Sequence, residues 1–112
     1  MNASKPESTP TSLDGRWRFS PGQLLATPGA LAALMTAGTS PMSFMARHLS
    51  GDWGDVCAED AAANERALVC GARLFSVYKL DVTAADDQAT AKVWVITEAD
   101  RACTTILLPS EY

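Results

Sequence analysis

The sequence lacks the features that mark several large classes of protein. No apolar run approaches the roughly 20 residues that a membrane-spanning helix needs, and the first residues contain no apolar core like that of a secretory signal. Acidic residues outnumber lysine and arginine by 13 to 9, and the net charge of −4 leaves no basic face for phosphate groups. These absences predict a cytoplasmic protein that binds neither a membrane nor nucleic acid.

Recognisable catalytic motifs are missing as well. The chain has no glycine-rich phosphate loop, no GxSxG nucleophile elbow and no zinc-binding HExxH. Its three cysteines, Cys57, Cys70 and Cys103, include no close pair of the kind that zinc sites use. We therefore expect reduced, mostly buried thiols and no cofactor.

The residues that are present fit one domain. A chain of 112 residues, 47% hydrophobic and 20% charged, is long enough to bury a core and too short for two domains. Residues 1–15 are rich in serine, threonine and proline, a composition typical of a flexible leader. We predict a single domain over residues 16–112.

Two short segments form a near-repeat, TPGALAALMTAG (27–38) and SPMSFMARHLSG (40–51). Each begins with a hydroxyl residue and proline and ends on glycine, the pattern of a capped helix with a left-handed stop. A third helix is predicted to end at Gly71, with Asp55 or Cys57 at its N-cap. The apolar rows expected to face the core are Leu31, Leu34 and Met35 on the first helix, and Phe44, Met45, His48 and Leu49 on the second.

After Arg73 the hydrophobic period changes to two, which indicates strands. The predicted strands are RLFSVYKL (73–80), AKVWVIT (91–97) and ACTTILLP (102–109). A long, mobile loop over 81–90 joins the first two, a tight turn over 98–101 joins the last two, and Trp94 is expected to point into the core. With a short fourth strand at Gln23–Ala26, the pattern predicts an α+β fold: three short helices on one face of a three- to four-stranded antiparallel sheet.

The segment RHLSGDWGDVCAED (47–60) holds the only histidine among several acids. His48, Asp52 and Asp55 have the ligand chemistry of a metal site or an acid–base pair, which would make the protein a small metal-dependent or hydrolytic enzyme. The structural interpretation, which we favour, is that His48 ends one helix while Asp55 caps the amides of the next. A Cys57 nucleophile assisted by His48 is a further hypothesis, opposed by the acids around the thiol.

Two surfaces are candidates for binding another protein. Trp53 lies between Gly51 and Gly54, and its ring would either anchor a partner or close the core between helices. The charged turn over 98–101 would offer its side chains to a partner, although charged residues are usual in exposed turns. The predicted binding residues are Asp52, Trp53, Asp55, Glu98, Asp100 and Arg101, and the predicted function is a non-enzymatic protein-interaction module.

Several stretches carry a resemblance to a known group: LLATPGALAAL (24–34), ARHLSGDWGDVCAEDAAANERAL (46–68) and WVITEADRACTTILLPSEY (94–112). They are similar to a family of small bacterial proteins of plasmids and other mobile elements, usually described as hypothetical or plasmid-related and sometimes as a type I restriction endonuclease subunit M. A true modification subunit needs a methyltransferase domain several times this length. The resemblance brings no catalytic residues, and it implies an accessory protein that inhibits or regulates host machinery, including counter-defence, by binding it.

Overall fold

The computed structural model describes residues 17–80 and 92–112. The predicted leader (1–15) and the predicted loop (81–90) lie outside these residues. The described elements are strand β1 (Gln23–Ala26), helices α1 (Pro28–Ala37), α2 (Pro41–Ser50) and α3 (Ala58–Cys70), strands β2 (Leu74–Lys79), β3 (Lys92–Thr97) and β4 (Cys103–Leu107), and a 3₁₀ turn (Pro109–Glu111). The predicted α+β class is confirmed.

The predicted caps of the first two helices are confirmed. They were predictable because a cap depends on the chemistry of only a few neighbouring residues. The Thr27 hydroxyl accepts a hydrogen bond from the Ala30 amide at 3.1 Å, which satisfies a backbone donor at the start of α1. Ser40 does the same at the start of α2. Gly38 and Gly51 end these helices in the left-handed conformation, which glycine adopts without a steric penalty.

The four strands form one sheet in the order β1-β4-β3-β2. Strands β2, β3 and β4 make the predicted antiparallel meander, but β1 pairs parallel to β4, with Gln23 opposite Cys103 and Ala26 opposite Ile106. The sheet is therefore mixed rather than wholly antiparallel. Parallel pairing is possible here because the connection from β1 back to the meander passes through three helices, whereas only antiparallel neighbours can be joined by a tight turn.

All three helices lie on one face of the sheet. Helices α1 and α2 pack on alternate strand residues such as Val93, Val95 and Ile106, and α3 packs on Leu74 through Ala67. These strand residues are register partners or lie two positions apart, so their side chains share one face. We call this the helix side of the sheet.

The predicted apolar row of α2 is buried, but that of α1 is only partly so. Leu34 lies in the core, whereas Leu31 and Met35 are exposed, Met35 to 81%. The buried face of α1 consists instead of Leu34 with Ala30 and Ala33. These small side chains pack against the core, and the larger apolar side chains of α1 remain in solvent.

Trp94 does not point into the core, contrary to the sequence prediction. Val93 and Val95 occupy the helix side, so Trp94 between them lies on the opposite face. There the half-buried indole makes edge contacts with Phe75 at 5.1 Å and Tyr112 at 5.5 Å between ring centroids. The prediction for Trp94 was wrong because β3 carries apolar residues on both faces, so the sequence does not show which face is buried.

Candidate functional site

His48 lies in the last turn of α2, as predicted, and its side chain belongs to the core. Its side chain is fully buried between α2 and the sheet. The Nδ1 atom lies 2.6 Å from the Ser76 hydroxyl, and Nε2 lies 2.9 Å from the Thr97 hydroxyl. The rings of Phe19 and Trp53 approach the imidazole edge to face at 5.3 and 5.8 Å. Both ring nitrogens are therefore engaged inside the protein.

The contacts of His48 belong to a row of hydroxyl groups that crosses the sheet. Thr97 of β3 lies 2.7 Å from Thr104 of β4, and Thr104 donates to the Pro21 carbonyl at 2.8 Å. A carbonyl can only accept, so Thr97 must donate to Thr104 and therefore accept from His48 Nε2–H. The chain of bonds thus places a proton on Nε2. In a neutral imidazole Nδ1 is then an acceptor, and Ser76 donates to it.

Electrostatics agree with a neutral His48. Burial, and to a smaller extent the nearby Arg101 guanidinium, lower the pKa of the imidazole from 6.5 to about 3. A serine hydroxyl donating to an imidazole resembles a nucleophile and its base. Here, however, Ser76 and His48 are both fully buried, so no substrate reaches them in this conformation.

Asp52 supports the loop that follows α2. One carboxylate oxygen accepts from Arg47 Nε at 2.7 Å, and the other accepts from the Gly54 amide at 3.2 Å. The hydrogen bond from Arg47 lowers the pKa of this carboxyl. The Asp52 carbonyl also accepts from the Tyr78 hydroxyl at 2.6 Å. Asp52 is thus committed to shaping the loop.

Trp53 closes a small core cluster beneath α3. Its side chain is 6% exposed, it packs with Ala67 and Leu74, and its indole N–H donates to Glu65 at 3.1 Å. Glu65 also receives two hydrogen bonds from Arg18. This geometry favours the core role over the partner anchor, because the ring is not available at the surface.

Of the two residues predicted for the N-cap of α3, Asp55 and Cys57, Asp55 does not cap the helix. The N-cap is Cys57, which makes no side-chain cap hydrogen bond. The Asp55 carboxylate instead lies 3.7 Å from Lys79 Nζ, while its backbone amide donates to the Val77 carbonyl. The backbone of the loop is drawn toward β2, and this displaces Asp55 from the start of the helix.

The side chains of the proposed metal set have separate partners. His48 binds the hydroxyl row, Asp52 binds Arg47 and Asp55 faces Lys79. In the described part of the chain, no three histidine, cysteine or carboxylate side chains gather into a potential metal site. The Cys57 and Cys70 side chains are exposed rather than buried, and His48 has no ring nitrogen left to assist Cys57.

The charged turn is bound to the rest of the protein. Arg101 adopts a left-handed conformation (φ 60°), and its guanidinium donates to the Ala67 carbonyl at 3.1 Å and to the Ala72 carbonyl at 2.6 Å, at the C-terminal end of α3. Asp100 accepts from the Ala102 amide at 2.9 Å. Of the three predicted residues, Glu98 is the one whose side chain has no hydrogen bond to other described residues.

The two edges of the sheet differ in how they are covered. At the β2 edge, the buried Asn64 amide accepts from the Phe75 N–H and donates to the Phe75 carbonyl. Val77 is the next residue of β2 whose backbone groups point away from β3. Its N–H donates to the Trp53 carbonyl, and its carbonyl accepts from the Asp55 amide. The segment Gly51–Asp55 is therefore an edge cover. We call this side of the sheet the covered edge.

The β1 edge carries no comparable cover among the described residues, and we call it the open edge. Leu24 and Leu25 are about 40% exposed beside it. Helix α1 begins two residues after β1 ends and contributes exposed Leu31 and Met35. We call the open edge together with Leu24, Leu25, Leu31 and Met35 the β1–α1 surface.

Sequence reasoning missed the β1–α1 surface, although one signal for it was present. From Phe19 to Ala46 the sequence contains no charged residue. On an exposed region, such depletion of charge is characteristic of the centre of a protein interface. Helical periodicity alone placed Leu31 and Met35 in the core.

Comparisons with models of protein families, with curated proteins and with solved structures gave no match to this chain. The resemblance to proteins of mobile elements therefore stays a prediction. Within the described residues, no helix has both the length and the apolar character required to cross a membrane.

Proposed function

We propose that this protein is a non-enzymatic protein-interaction module that binds through the β1–α1 surface. The observation that carries the proposal is the orientation of α1, which buries Ala30 and Ala33 while Leu31 and Met35 face solvent. A helix that exposes large apolar side chains while it buries alanines is typical of a surface that a partner covers.

The chemistry of the other candidates supports the same choice. The His48 row is sealed from solvent, and Asp52 and Arg101 are held by internal partners. These groups explain loop and core structure without a substrate. The regulatory or counter-defence role that the resemblance implies would be exerted by binding host machinery through the β1–α1 surface.

The test is affinity capture from cells that naturally carry the gene, with three tagged baits. They are the wild type, the double variant Leu31→Glu/Met35→Glu, and Val69→Glu. Val69 is a matched control, because it is an apolar side chain of α3 that is 89% exposed and lies outside the β1–α1 surface. Thermal unfolding of each bait establishes that it is folded.

We expect at least one protein to be captured in near-equal amounts by wild type and Val69→Glu and to be lost with the double variant. Untagged copies of the chain count as a captured protein. Capture that survives the double variant, or no stoichiometric capture by wild type, would contradict the proposal.

A further inference from the structure

The open edge presents an ordered set of backbone groups. The Gln23 amide donates to the carbonyl of Ala102, directly before β4, and the Thr27 amide donates to the Ile106 carbonyl of β4. In a parallel pair, alternate residues direct both backbone groups to the same neighbour. Leu24 and Ala26 therefore point their N–H and C=O groups away from β4, and none of these groups has a partner among the described residues.

We propose that the partner of the β1–α1 surface is a second copy of this chain, joined by antiparallel pairing of two β1 strands about Leu25. This inference rests on the proposed function and names its partner. Leu24 and Ala26 flank Leu25 symmetrically, so Leu24 of each copy pairs with Ala26 of the other. Four backbone hydrogen bonds form, and the two four-stranded sheets become one of eight strands.

Charge favours a second copy over a different partner. The chain has a net charge of −4, so two copies carry a net mutual repulsion. The stretch from Phe19 to Ala46, which supplies the β1–α1 surface, has no charged side chain. Two copies can meet there without like-charge contact, and the surface offers no charges by which to select a charged partner.

The length of β1 also favours a second copy over an extended peptide. The strand has four residues and lies between Gly22, in a left-handed conformation, and Pro28 at the start of α1. A peptide would gain only a few backbone hydrogen bonds along this edge. A stable dimer buries about 800 Å² on each partner, which four strand residues cannot supply. The copies must therefore also bury Leu31 and Met35, which are exposed on the helix that directly follows β1.

The register makes a sharp prediction about cross-linking. The two Leu25 residues face each other on the symmetry axis as a non-hydrogen-bonded pair, with Cα atoms about 4.5 Å apart. This distance lies within the range that a disulfide spans. Gln23 is the matched control, because it lies on the same face of β1, two residues away. The two Gln23 residues would be about 13 Å apart, too far for a disulfide.

The experiment places Leu25→Cys or Gln23→Cys in a background in which Cys57, Cys70 and Cys103 are serine. Under mild oxidation we expect Leu25→Cys to form a covalent dimer with at least tenfold higher yield than Gln23→Cys. Sedimentation of the wild type at tens of micromolar should give twice the monomer mass of 11.9 kDa, and Leu31→Glu/Met35→Glu should be monomeric. Circular dichroism of each variant establishes folding.

A wild type that is monomeric at all these concentrations would overturn the inference. A dimer that persists in the double variant, or that cross-links equally at both positions, would overturn it as well, because the interface would lie elsewhere. If Leu25→Cys does not fold, hydrogen exchange of the wild type decides. Protection of the Leu24 and Ala26 amides must then rise with protein concentration. A monomer that still captures another protein through Leu31 and Met35 would leave the proposed function intact.

Discussion

The two edges of the sheet are closed to different degrees by the same chain. At the covered edge, Asn64 and the Gly51–Asp55 segment satisfy the outward backbone groups of Phe75 and Val77. At the open edge, no described residue covers β1, and the strand lacks the lysine or central proline by which sheet proteins discourage pairing. This contrast shows that the fold can protect an edge with residues distant in sequence. In the dimer proposed above, the second copy would protect the open edge in the way that the Gly51–Asp55 segment protects the covered one.

The largest loss of stability is expected from a substitution at Gly54, where the Gly51–Asp55 segment approaches β2. This residue has φ 74°, and a Cβ atom there would overlap the Val77 carbonyl oxygen. Gly54→Ala should destabilise the protein by about 3–5 kcal/mol, measured by urea unfolding. Gly71→Ala is the control, because Gly71 has φ 78° but no neighbouring atom within 4 Å. It should cost about 1–2 kcal/mol. Equal losses would mean that the close approach to β2 does not matter.

A somewhat smaller effect is expected from Asn64→Leu. The substitution leaves the Phe75 N–H and C=O without partners under α3, at an expected cost of about 2–4 kcal/mol in urea unfolding. The Phe75 amide should also exchange faster with solvent. Ala63→Leu introduces the same side chain at an exposed position of α3 and should change stability by less than about 0.5 kcal/mol. If Asn64→Leu is equally harmless, the covered edge does not depend on the asparagine.

A third prediction concerns the hydroxyl row, which begins on β2 at the covered edge and runs to β4, the neighbour of β1. His48 has a pKa of about 3 in the folded protein and about 6.5 when unfolded, so the unfolded chain binds more protons between these values. The free energy of unfolding should therefore fall as the pH is lowered, by up to about 1.4 kcal/mol per pH unit below 6.5. From pH 6.5 to 5 the loss should be about 1.6 kcal/mol.

The pH window isolates this residue because the chain has one histidine and carboxylates stay charged above pH 5. The lowered pKa values of Asp52 and Glu65 act in the same direction but at lower pH. In His48→Gln the slope between pH 6.5 and 5 should disappear. A slope unchanged by this substitution would show that another group causes it.

The smallest loss of stability is expected from replacing Asp55, the acid at the covered edge. Asp55 and Lys79 are both largely exposed, and their charged groups are 3.7 Å apart. Asp55→Ala should therefore cost less than about 0.5 kcal/mol. Asp52→Ala removes an acceptor from the Gly54 amide and should cost about 1 kcal/mol. Thermal unfolding of both variants ranks them, and a larger loss at Asp55 would restore the capping role that the sequence predicted.

The sequence predicted the parts of the fold that depend on local chemistry. Thr27, Ser40, Gly38 and Gly51 were identified as caps because a cap is decided within a few residues. The direction of β1 was not predictable, because a short apolar strand pairs equally well with either orientation of neighbour. The face occupied by Trp94 was also missed, since β3 is apolar on both faces.

The candidate site was less predictable because its contacts are long-range. His48 was expected in the apolar row of α2, and it is buried there. Its hydroxyl partners come from β2 and β3, so no local pattern indicated a buried network. Asp55 was misassigned because the Val77 backbone, more than 20 residues away, positions the loop. The exposure of Leu31 and Met35 could not be read from periodicity, which treats every apolar residue as core.

The hydroxyl row also helps to select the register of the strands. Ser76, Thr97 and Thr104 lie on three adjacent strands and meet only in the observed register. Slipping β2 by one residue would turn the Ser76 hydroxyl to the far face and place Phe75 or Val77, both apolar, against the imidazole. Because β2 and β3 carry apolar residues on both faces, buried area alone discriminates poorly between the two alignments. The imidazole nitrogen left without a partner penalises the shifted one, so a folding chain can distinguish the correct pairing of β2.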